Sequence, residues 1–567
     1  MLHVPSLSVS LGQASSRGAK DCNDDFFGAL LPDGIDRRVK GCVVALADGI
    51  STSQVSREAA ETCVKSFLTD YMATPDSWTA KTAGTKVISA INAWLHAQTR
   101  HAGEYDIDRG YTCTLSAMVL KGRMGHIFHV GDCRIWRVSG TTLEPLTFDH
   151  HALLDGAQVA LSRAMGANHS IDVDYRAEPL HVGDVFLMTT DGLHDVWDPC
   201  HAVRVIGQAP NLDVAAQQII DAAKAHAVDN LTVQILRLEN LPFEEAADVS
   251  GQNATLPWPK DFVSGDTIDG LTILREIQVT HRSRIYLAKR GDERLALKVP
   301  ASELREDDAA IQRFVTEEWI ARRISHPNVL SAPVLQTDRS ALYTLTTFIE
   351  GQTLRQWMID NPTPTLQQMR NIIAQIIKGL RAFHRREMLH QDLRPENIML
   401  DADGHVTLID FGSAYISGMQ EMGPLDIAPE ILGTAQYTAP EYFSGEAVTW
   451  KADLFSLAVI GYEMMTGKLP FGTDVAKIRS PKERRALVYR KAGDRVPEWL
   501  DHCLRCALHP DPVKRPNALS EFEADLKRPS IQYQRKGRSP LIERHPVQFW
   551  QAVSALLAIA IFLLLSH

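Results

Sequence analysis

The sequence predicts a multidomain chain in which an α/β domain is followed by a bilobal α+β domain and by a single C-terminal transmembrane helix. Three observations favour this fold class. The length of 567 residues exceeds that of one ordinary domain. Residues 238–265 are rich in Pro, Gly and acids and lack periodicity, as expected of a linker. An apolar run occupies residues 549–565.

Strand-like and helical stretches alternate before the linker, for example GCVVALAD, TLSAMVL and LTVQIL with SREAAETCVKSFLTDYM between the first two. This alternation predicts a layered α/β sheet domain. After the linker come the short strands TILREIQV, RIYLAKR and LALKVP, and then mainly helical patterns. That order is typical of a small β-lobe joined to a larger α-lobe.

The composition narrows the class of protein. Apolar residues make up 45% and charged residues 23%, the balance of ordinary globular protein. The net charge of -10 argues against nucleic-acid binding, which needs a large basic surplus. The N-terminus has no signal-peptide pattern, and eight scattered cysteines suit a reducing compartment. The close pair Cys503 and Cys506 is interpreted as buried helix residues rather than a zinc site.

Aspartates stand at the ends of apolar runs in the N-terminal half: Asp48 after VVALA, Asp132 after HIFHVG, Asp191 after VFLMTT and Asp229 before LTVQIL. A single Asp-Gly is usually a turn, but four such positions in series favour a shared site. Carboxylates without matching His or Cys suit hard cations such as Mg²⁺ or Mn²⁺. The sequence therefore predicts a metal site at one edge of the sheet.

The order of KDCNDDFF, ADGIS, RGYTCT, HVGDCRIW, LSRAMG, GDVFLMTTDGLHDV and DNLTV resembles the metal-dependent protein phosphatases of type 2C. The resemblance implies an αββα sandwich and a water, bridging two metals, that attacks phosphoserine or phosphothreonine. It implies two-metal ligands at Asp24, Asp25, Asp48, the Gly49 carbonyl, Asp191 and Asp229, and third-metal ligands at Asp132 and Asp195. Lys20 stands where the family usually has a phosphate-binding Arg, which would weaken phosphate binding.

HQDLRPENIML, LIDFGS and TAPEYF in the C-terminal half resemble the catalytic loop, DFG and APE of protein kinases. The resemblance implies that Lys298 holds the α- and β-phosphates of ATP and pairs with Glu317, with Glu318 as the alternative. Asp392 would act on the substrate hydroxyl, and PEN favours Ser/Thr specificity. The same resemblance assigns Mg²⁺ to Asn397 and Asp410 and the γ-phosphate to Arg394.

The nucleotide loop departs from the kinase pattern because it reads IQVTHRSRIYLA, with Gln278, Thr280 and Ser283 at the glycine positions. Glycines let the backbone approach the phosphates, so their loss predicts weaker ATP binding or contacts from Thr280, Arg282 and Ser283. Gln391 replaces an Arg that usually binds a phosphorylated activation loop. We therefore expect activity without that switch.

The apolar tail predicts a membrane anchor, with a buried core helix as the alternative. Basic residues upstream predict that the catalytic domains are cytoplasmic, and the resemblance points to a bacterial inner membrane. The predicted organisation is a phosphatase domain at 1–240, a linker at 241–264, a kinase domain at 265–528, a basic juxtamembrane segment at 529–548 and the anchor at 549–565.

Together these features predict a bifunctional enzyme that phosphorylates Ser/Thr with ATP and Mg²⁺ and hydrolyses phosphoserine and phosphothreonine with two or three Mg²⁺ or Mn²⁺ ions. The rival prediction is an active phosphatase regulated by a C-terminal pseudokinase that binds nucleotide or a partner. Expected partners are protein substrates, ATP and a membrane, without nucleic acid, and a homodimer is compatible with the sequence.

Overall fold

The contacts of the computed structural model divide the chain into two units, residues 1–249 with 416–427 and residues 250–415 with 428–567. The predicted linker and juxtamembrane segment lie largely outside the described residues. The structure describes residues 6–50, 53–101, 110–153, 159–242, 256–280, 282–305, 307–333, 339–420, 436–444, 448–472, 474–478, 480–530, 533–534 and 546–565.

Two antiparallel sheets form the first unit, each with five described strands. One has the order β1-β12-β11-β6-β7 and the other β10-β5-β4-β3-β2. Strands β8 and β9 form a separate antiparallel pair. The described strands of this unit are β1 (Ser8–Ser16), β2 (Phe26–Leu30), β3 (Cys42–Ala47), β4 (Leu115–Lys121), β5 (Met124–Val130), β6 (Arg134–Ser139), β7 (Thr142–Pro145), β8 (His151–Leu153), β9 (Val159–Leu161), β10 (Asp174–Pro179), β11 (Val185–Thr189) and β12 (Leu231–Asn240).

Helices cover the outer face of each sheet in this unit. They are α1 (Gly34–Lys40), α2 (Ser56–Ala73), α3 (Ala80–His101), α4 (Asp191–His194), α5 (Pro199–Gln208) and α6 (Leu212–Ala223). Strand β3 shows why its sequence is apolar throughout: Val43 and Ala45 pack under α2 and α3, whereas Val44 and Leu46 pack between the sheets. The αββα sandwich implied by the resemblance is therefore present.

The second unit opens with a five-stranded antiparallel sheet of order β13-β14-β15-β16-β17. Its strands are β13 (Thr267–Ile268), β14 (Leu271–Val279), β15 (Ser283–Arg290), β16 (Glu293–Pro300) and β17 (Thr344–Thr347), followed in the chain by β18 (Gly351–Thr353), β19 (Met388–Leu389), β20 (Ile398–Asp401), β21 (Val406–Leu408) and β22 (Tyr415–Ile416).

Helix α7 packs against β17 of this five-stranded sheet. The remaining helices follow mainly after it in the chain, in the predicted order of a β-lobe and an α-lobe. The remaining described helices, in chain order, are α7 (Asp308–Arg323), α8 (Leu354–Asp360), α9 (Leu366–His384), α10 (Ser417–Gln420), α11 (Lys451–Thr466), α12 (Pro481–Arg485), α13 (Glu498–Ala507), α14 (Leu519–Lys527) and α15 (Pro546–Leu565).

The prediction of a membrane anchor at 549–565 is wrong. Among the residues that the structure describes, no helix is both long enough and apolar enough to cross a membrane. A span needs about 20 predominantly apolar residues, whereas the predicted run at 549–565 is shorter and contains the polar Gln551 and Ser554. This finding contradicts the predicted transmembrane helix, and with it the predicted membrane partner and membrane localisation.

Candidate active sites

The predicted carboxylates of the first unit are carried by strand ends and the loops beside them. Asp25 precedes β2, Asp48 follows β3, and Asp132 lies between β5 and β6. Asp191 follows β11 and begins α4, and Asp229 precedes β12. The central strands are buried on both faces, so polar side chains are placed where these strands end.

Asp25 is the most tightly held of these residues. Its Oδ2 atom accepts hydrogen bonds from Thr232 Oγ1 at 2.6 Å and Thr190 Oγ1 at 3.0 Å. Its Oδ1 atom is buried and has no hydrogen-bond partner among the described residues. Burial and the nearby Asp191 carboxylate raise the pKa of Asp25 to about 7. A buried carboxylate oxygen without a partner is the donor that a hard cation would need.

Asp48 lies beside Asp25, and both strand ends are tied to their neighbours. The Asp48 N–H donates to Thr114 Oγ1 at 2.9 Å, and the Thr114 N–H donates to the Asp48 carbonyl at 2.8 Å. Burial and the carboxylates of Asp25 and Asp191 raise the pKa of Asp48 well above its ordinary value. Gly49, whose carbonyl was predicted as a ligand, pairs with Cys113 in an isolated β-bridge.

Two predicted third-metal residues line a polar cavity of about 270 Å³ together with Asp191. Burial and the Asp191 carboxylate raise the pKa of Asp132 to about 6, and the same two causes raise the pKa of Asp195. Sequence reasoning assigned no role to the other residues around this cavity. The missed lining residues are Arg134, Asp149, His151, Leu161 and His194.

Arg134 and Asp149 form a fixed wall of this cavity. The guanidinium Nε donates to Asp149 Oδ1 at 2.9 Å, and Nη2 donates to Oδ2 at 2.7 Å. His151 Nε2 lies 3.5 Å from Asp132 Oδ2. The spacing of these residues along the chain gave no signal of a shared cavity, because the loop after β7 brings them together.

Lys20 and Asp229 meet at the other side of the carboxylate cluster. Lys20 Nζ lies 3.1 Å from Asp229 Oδ2, so the predicted phosphate-binding cation stands next to a predicted metal ligand. Gly18 has a φ of +56°, and a Cβ there would lie 2.0 Å from the Asp229 carbonyl oxygen. Only glycine fits this approach of the Lys20 loop to the Asp229 loop.

Asp24 differs from the other predicted ligands because its described contact is made by the backbone. Its N–H donates to Asn230 Oδ1 at 2.8 Å. Within the described parts of the chain, no group of three or more His, Cys, Asp or Glu side chains could hold a metal ion as they now stand. The oxygen donor set of Asp25, Asp48 and Asp191 nevertheless has the chemistry that Mg²⁺ or Mn²⁺ prefers.

In the second unit, Lys298 on β16 pairs with Glu317 on α7. Lys298 Nζ lies 2.5 Å from Glu317 Oε2. Burial lowers the pKa of Lys298, but the carboxylates of Glu317 and Asp410 outweigh burial and hold that pKa above its ordinary value. Glu318 points to other partners, since its Oε1 accepts from Arg322 Nη2 at 2.7 Å and also contacts Arg339.

The catalytic-loop residues also lie together. Asn397 Nδ2 donates to the Asp392 carbonyl at 2.9 Å and to Asp392 Oδ2 at 3.0 Å. Arg394 Nε lies 3.8 Å from Asp392 Oδ2. Burial raises the pKa of Asp392 to about 6, with Asp410 adding to the increase and Arg394 opposing it. A carboxylate with that pKa is ionised at neutral pH and can accept a proton.

The glycine-free nucleotide loop closes on itself through Thr280. Thr280 Oγ1 accepts hydrogen bonds from the N–H of Ser283 at 3.0 Å and of Arg282 at 3.3 Å. The hydroxyl in turn lies 3.0 Å from the Ser283 carbonyl. The Thr280 hydroxyl, which was expected to contact ATP phosphates, is therefore engaged within this turn together with the amides of Arg282 and Ser283. Residue 281 of the turn lies outside the described part of the chain.

Arg355 on α8 is a residue near the catalytic loop that sequence reasoning missed. Its Nε donates to Glu396 Oε1 at 2.9 Å and its Nη1 donates to Glu463 Oε1 at 2.9 Å. The Tyr437 hydroxyl contacts both Arg355 and Glu463. Glu396 belongs to the same turn as Asn397, so this network connects the catalytic loop to α8 and α11.

The two folds and their sites define a chain with two domains, one that is rich in buried carboxylates and one that contains the Lys298–Glu317 pair and the hydrogen-bonded Asp392 and Asn397. Residues 12–216 match the family model Protein phosphatase 2C, and residues 280–525 match the model Protein kinase domain. These two matches show a phosphatase 2C domain followed by a protein kinase domain within this chain.

Similar proteins include kinases of bacteria. Serine/threonine-protein kinase PrkC of Bacillus subtilis is 27% identical over 259 residues, which cover 45% of this chain and 40% of that protein. Serine/threonine-protein kinase pkn3 of Myxococcus xanthus is 30% identical over 259 residues, covering 44% of this chain and 47% of that protein. The matches span less than half the length of each of these relatives.

Solved structures similar to the chain include two serine/threonine phosphatases. The enzyme of S. agalactiae is 22% identical with a TM-score of 0.36, and the match covers 41% of this chain and 100% of that one. The Mycobacterium tuberculosis phosphatase PstP/Ppp is 21% identical with a TM-score of 0.35, covering 41% of this chain and 99% of that one.

Proposed function

We propose that this protein is a bifunctional signalling enzyme that phosphorylates serine and threonine of proteins with ATP and removes phosphate from phosphoserine and phosphothreonine. The observation that carries the proposal is the presence, on one chain, of a phosphatase 2C domain with a buried carboxylate cluster and a kinase domain with a formed Lys298–Glu317 pair. The substrates are proteins, and domain limits at 1–240 and 265–528 stay predictions.

In the phosphatase domain, Asp25, Asp48, Asp191, Asp229 and the Gly49 carbonyl would hold two divalent cations. The raised pKa of Asp25 and Asp48 supports this assignment, because burial and the neighbouring carboxylates both disfavour their charged forms until positive charge is placed beside them. Such cations, when bound, supply an activated water and neutralise phosphoryl oxygens.

The other predicted residues act around this centre. Lys20 would contact the phosphate of the substrate from its place beside Asp229, which it already neutralises in part. Asp132 and Asp195 would hold a third, weaker cation at the edge of the polar cavity. Arg134 and Asp149 keep the wall of that cavity rigid through their two parallel hydrogen bonds.

In the kinase domain, Lys298 would bind the α- and β-phosphates while Glu317 fixes its ammonium group. Asp392 would orient the substrate hydroxyl and accept its proton, and Arg394 would neutralise the γ-phosphate. Asn397 and Asp410 would hold Mg²⁺. The hydrogen bonds from Asn397 to Asp392 support a common arrangement of these groups, which favours positioning over bond-making by the protein.

The pseudokinase alternative is not favoured. That alternative was based on the missing glycines of the nucleotide loop. The hydrogen bonds of Thr280 close this loop in another way. Lys298, Asp392, Asn397 and Asp410 are all kept, and a domain that only bound a partner would have no need of this set. Weaker affinity for ATP is the expected consequence of the closed turn, rather than loss of transfer.

The test is incorporation of labelled phosphate by the full chain with Mg²⁺ or Mn²⁺ and millimolar ATP, into itself and into a generic Ser/Thr substrate. Asp191→Asn should increase net incorporation, because the tethered phosphatase no longer removes the label. Adding Asp392→Asn should abolish it. Release of phosphate from a phosphothreonine peptide should require divalent metal and be lost in Asp191→Asn but not in Asp392→Asn.

The kinase half and the phosphatase half of the proposal can each be refuted independently. If the Asp191→Asn protein transfers no phosphate, the kinase half is overturned. If peptide dephosphorylation persists in EDTA, the metal-dependent phosphatase half is overturned.

A further inference from the structure

The segment before the kinase sheet, Leu256–Trp258, packs against the helix that carries Glu317. This segment falls in the predicted linker and outside both matched family ranges. Leu256, Trp258 and Ile311 are partly buried against a cluster formed by Phe314, Val315 and Leu342. Three members of this contact, Ile311, Phe314 and Val315, lie on one face of α7 at spacings of three and four residues.

Polar contacts fix the same segment. The N–H of Leu342 donates to the Pro257 carbonyl at 2.9 Å, which ties the segment to a position two residues before β17. The Arg305 guanidinium lies 5.3 Å from the centre of the Trp258 ring, so the ring is held from the side of α7's N-terminus as well.

A second anchor lies four residues further on. Phe262 is buried in the core of the five-stranded sheet, and its ring centre is 5.7 Å from that of Tyr286 in an edge-on contact. The stretch from Leu256 to Phe262 is thus held at its start by α7 and at its end by the sheet that carries Lys298. Sheet and helix are the two elements whose separation determines whether Lys298 reaches Glu317.

We propose that Leu256–Trp258 is a positioning strap for the kinase, which holds α7 so that Glu317 pairs with Lys298. This inference rests on the proposed kinase function. Val315 in the strap contact and Glu317 in the ion pair are two residues apart on α7, so a shift of the helix would move both. Phosphoryl transfer depends on this pair being in place, so loss of the strap would reduce catalysis without removing any group that touches ATP.

The strap also has a consequence for where the kinase begins. A chain cut at the start of the family match, residue 280, or at the predicted boundary, residue 265, would lack the strap. Such a chain would expose the apolar side chains of Phe314, Val315 and Leu342 that the strap now covers.

The experiment compares Trp258→Ala with Trp258→Phe in the full chain. Kinase kcat and the KM for ATP are measured in the Asp191→Asn background, and phosphatase turnover is measured in the parent background as a check on folding. The matched control is Val263→Ala, since Val263 is 68% exposed in the same part of the chain. Hydrogen exchange of residues 308–323 reports on α7 directly.

The expected result for Trp258→Ala is a loss of at least tenfold in kcat, with faster exchange of α7 and unchanged phosphatase turnover. Trp258→Phe, which keeps an aromatic ring, should regain most of the kinase activity. If Trp258→Ala loses no more activity than Val263→Ala, or loses it while exchange of α7 stays unchanged, the strap is refuted.

If the Asp191→Asn parent transfers no phosphate, the proposed kinase function fails. The strap is then judged by the exchange of α7 alone, which either rises in Trp258→Ala, as proposed, or does not and overturns the inference.

Discussion

Lys298 Nζ lies 2.5 Å from Oε2 of Glu317, across the gap between β16 and α7. Glu318, the next residue, contacts Arg322 and Arg339 instead. The side chains of both glutamates are almost fully buried, at 8% and 4% exposure. Two adjacent carboxylates thus have different partners, one pairing with Lys298 and the other with two arginines.

The first prediction separates these two glutamates. Glu317→Gln removes the charge opposite Lys298, so the kinase kcat/KM for ATP should fall at least tenfold, while the Asp410 carboxylate still offsets part of the Lys298 charge. Glu318→Gln leaves the largely buried Arg339 without its anion, so unfolding of the kinase domain should become easier by about 3 kcal/mol. Steady-state kinetics and urea unfolding check both variants, and equal kinetic losses for the two would contradict the assignment.

The second prediction concerns pH and Asp25, whose pKa of about 7 in the folded state exceeds the ordinary 3.8. Below about pH 4 both folded and unfolded states are protonated, and the carboxylate has no effect on stability. Above pH 7 the buried charge destabilises the metal-free fold, by about 1.4 kcal/mol for each unit of the difference. Asp25→Asn should therefore stabilise the phosphatase domain in EDTA at pH 8 by a few kcal/mol.

This gain should shrink as the pH is lowered and vanish near pH 4, as measured by denaturant unfolding across the range. The same variant should lose phosphatase activity, because a ligand oxygen is replaced by an amide. A variant less stable than the parent at pH 8 in EDTA would show that Asp25 is not held as a strained carboxylate.

The third prediction uses Gly192, next to Asp191. A Cβ at this position would lie 2.2 Å from the Asn230 carbonyl oxygen and 2.9 Å from the Asp229 Cβ, so Gly192→Ala must push apart the loops that carry Asp191 and Asp229. Phosphatase activity should fall at least a hundredfold while kinase activity is kept. Gly207→Ala is the control, because nothing lies within 4 Å of its added Cβ and alanine favours a helix.

Phosphatase assays on both variants decide this case. A Gly192→Ala protein as active as Gly207→Ala would mean that the two loops tolerate separation.

The fourth prediction concerns the buried pair of Arg515 and Glu441. Arg515 Nη1 and Nη2 each lie 2.7 Å from a different oxygen of Glu441, and both side chains are fully buried. Arg515→Met should destabilise the kinase domain by about 3–5 kcal/mol because Glu441 is left as an unpaired buried charge. Lys527→Ala, which breaks a surface pair with Glu523, should change stability by less than about 1 kcal/mol.

Thermal and urea unfolding of the full chain, followed by kinase activity, measure both effects. Adding Glu441→Gln to Arg515→Met should recover part of the loss, since the unpaired charge is removed. Equal stability of Arg515→Met and Lys527→Ala would contradict the burial argument.

The sequence by itself determined the two families and the order of their motifs. Asp48 after VVALA and Asp191 after VFLMTT could be predicted as site residues because buried strands are continuous apolar runs and their ends are the places for polar groups. The kinase motifs around Asp392, Asn397 and Asp410 are local in sequence, so they could be recognised without the fold.

The tertiary structure decided which side chains contact each other, because contact depends on the direction in which each side chain points and on the distances between them. Glu317 and Glu318 are equivalent in sequence, but neighbours on a helix point about 100° apart, and only the packing of α7 shows which one meets Lys298. The Thr280 turn and the Arg355 network join residues through side-chain hydrogen bonds that no periodicity reveals. The tail was misjudged because an apolar pattern alone does not measure the length of apolar helix that a membrane requires.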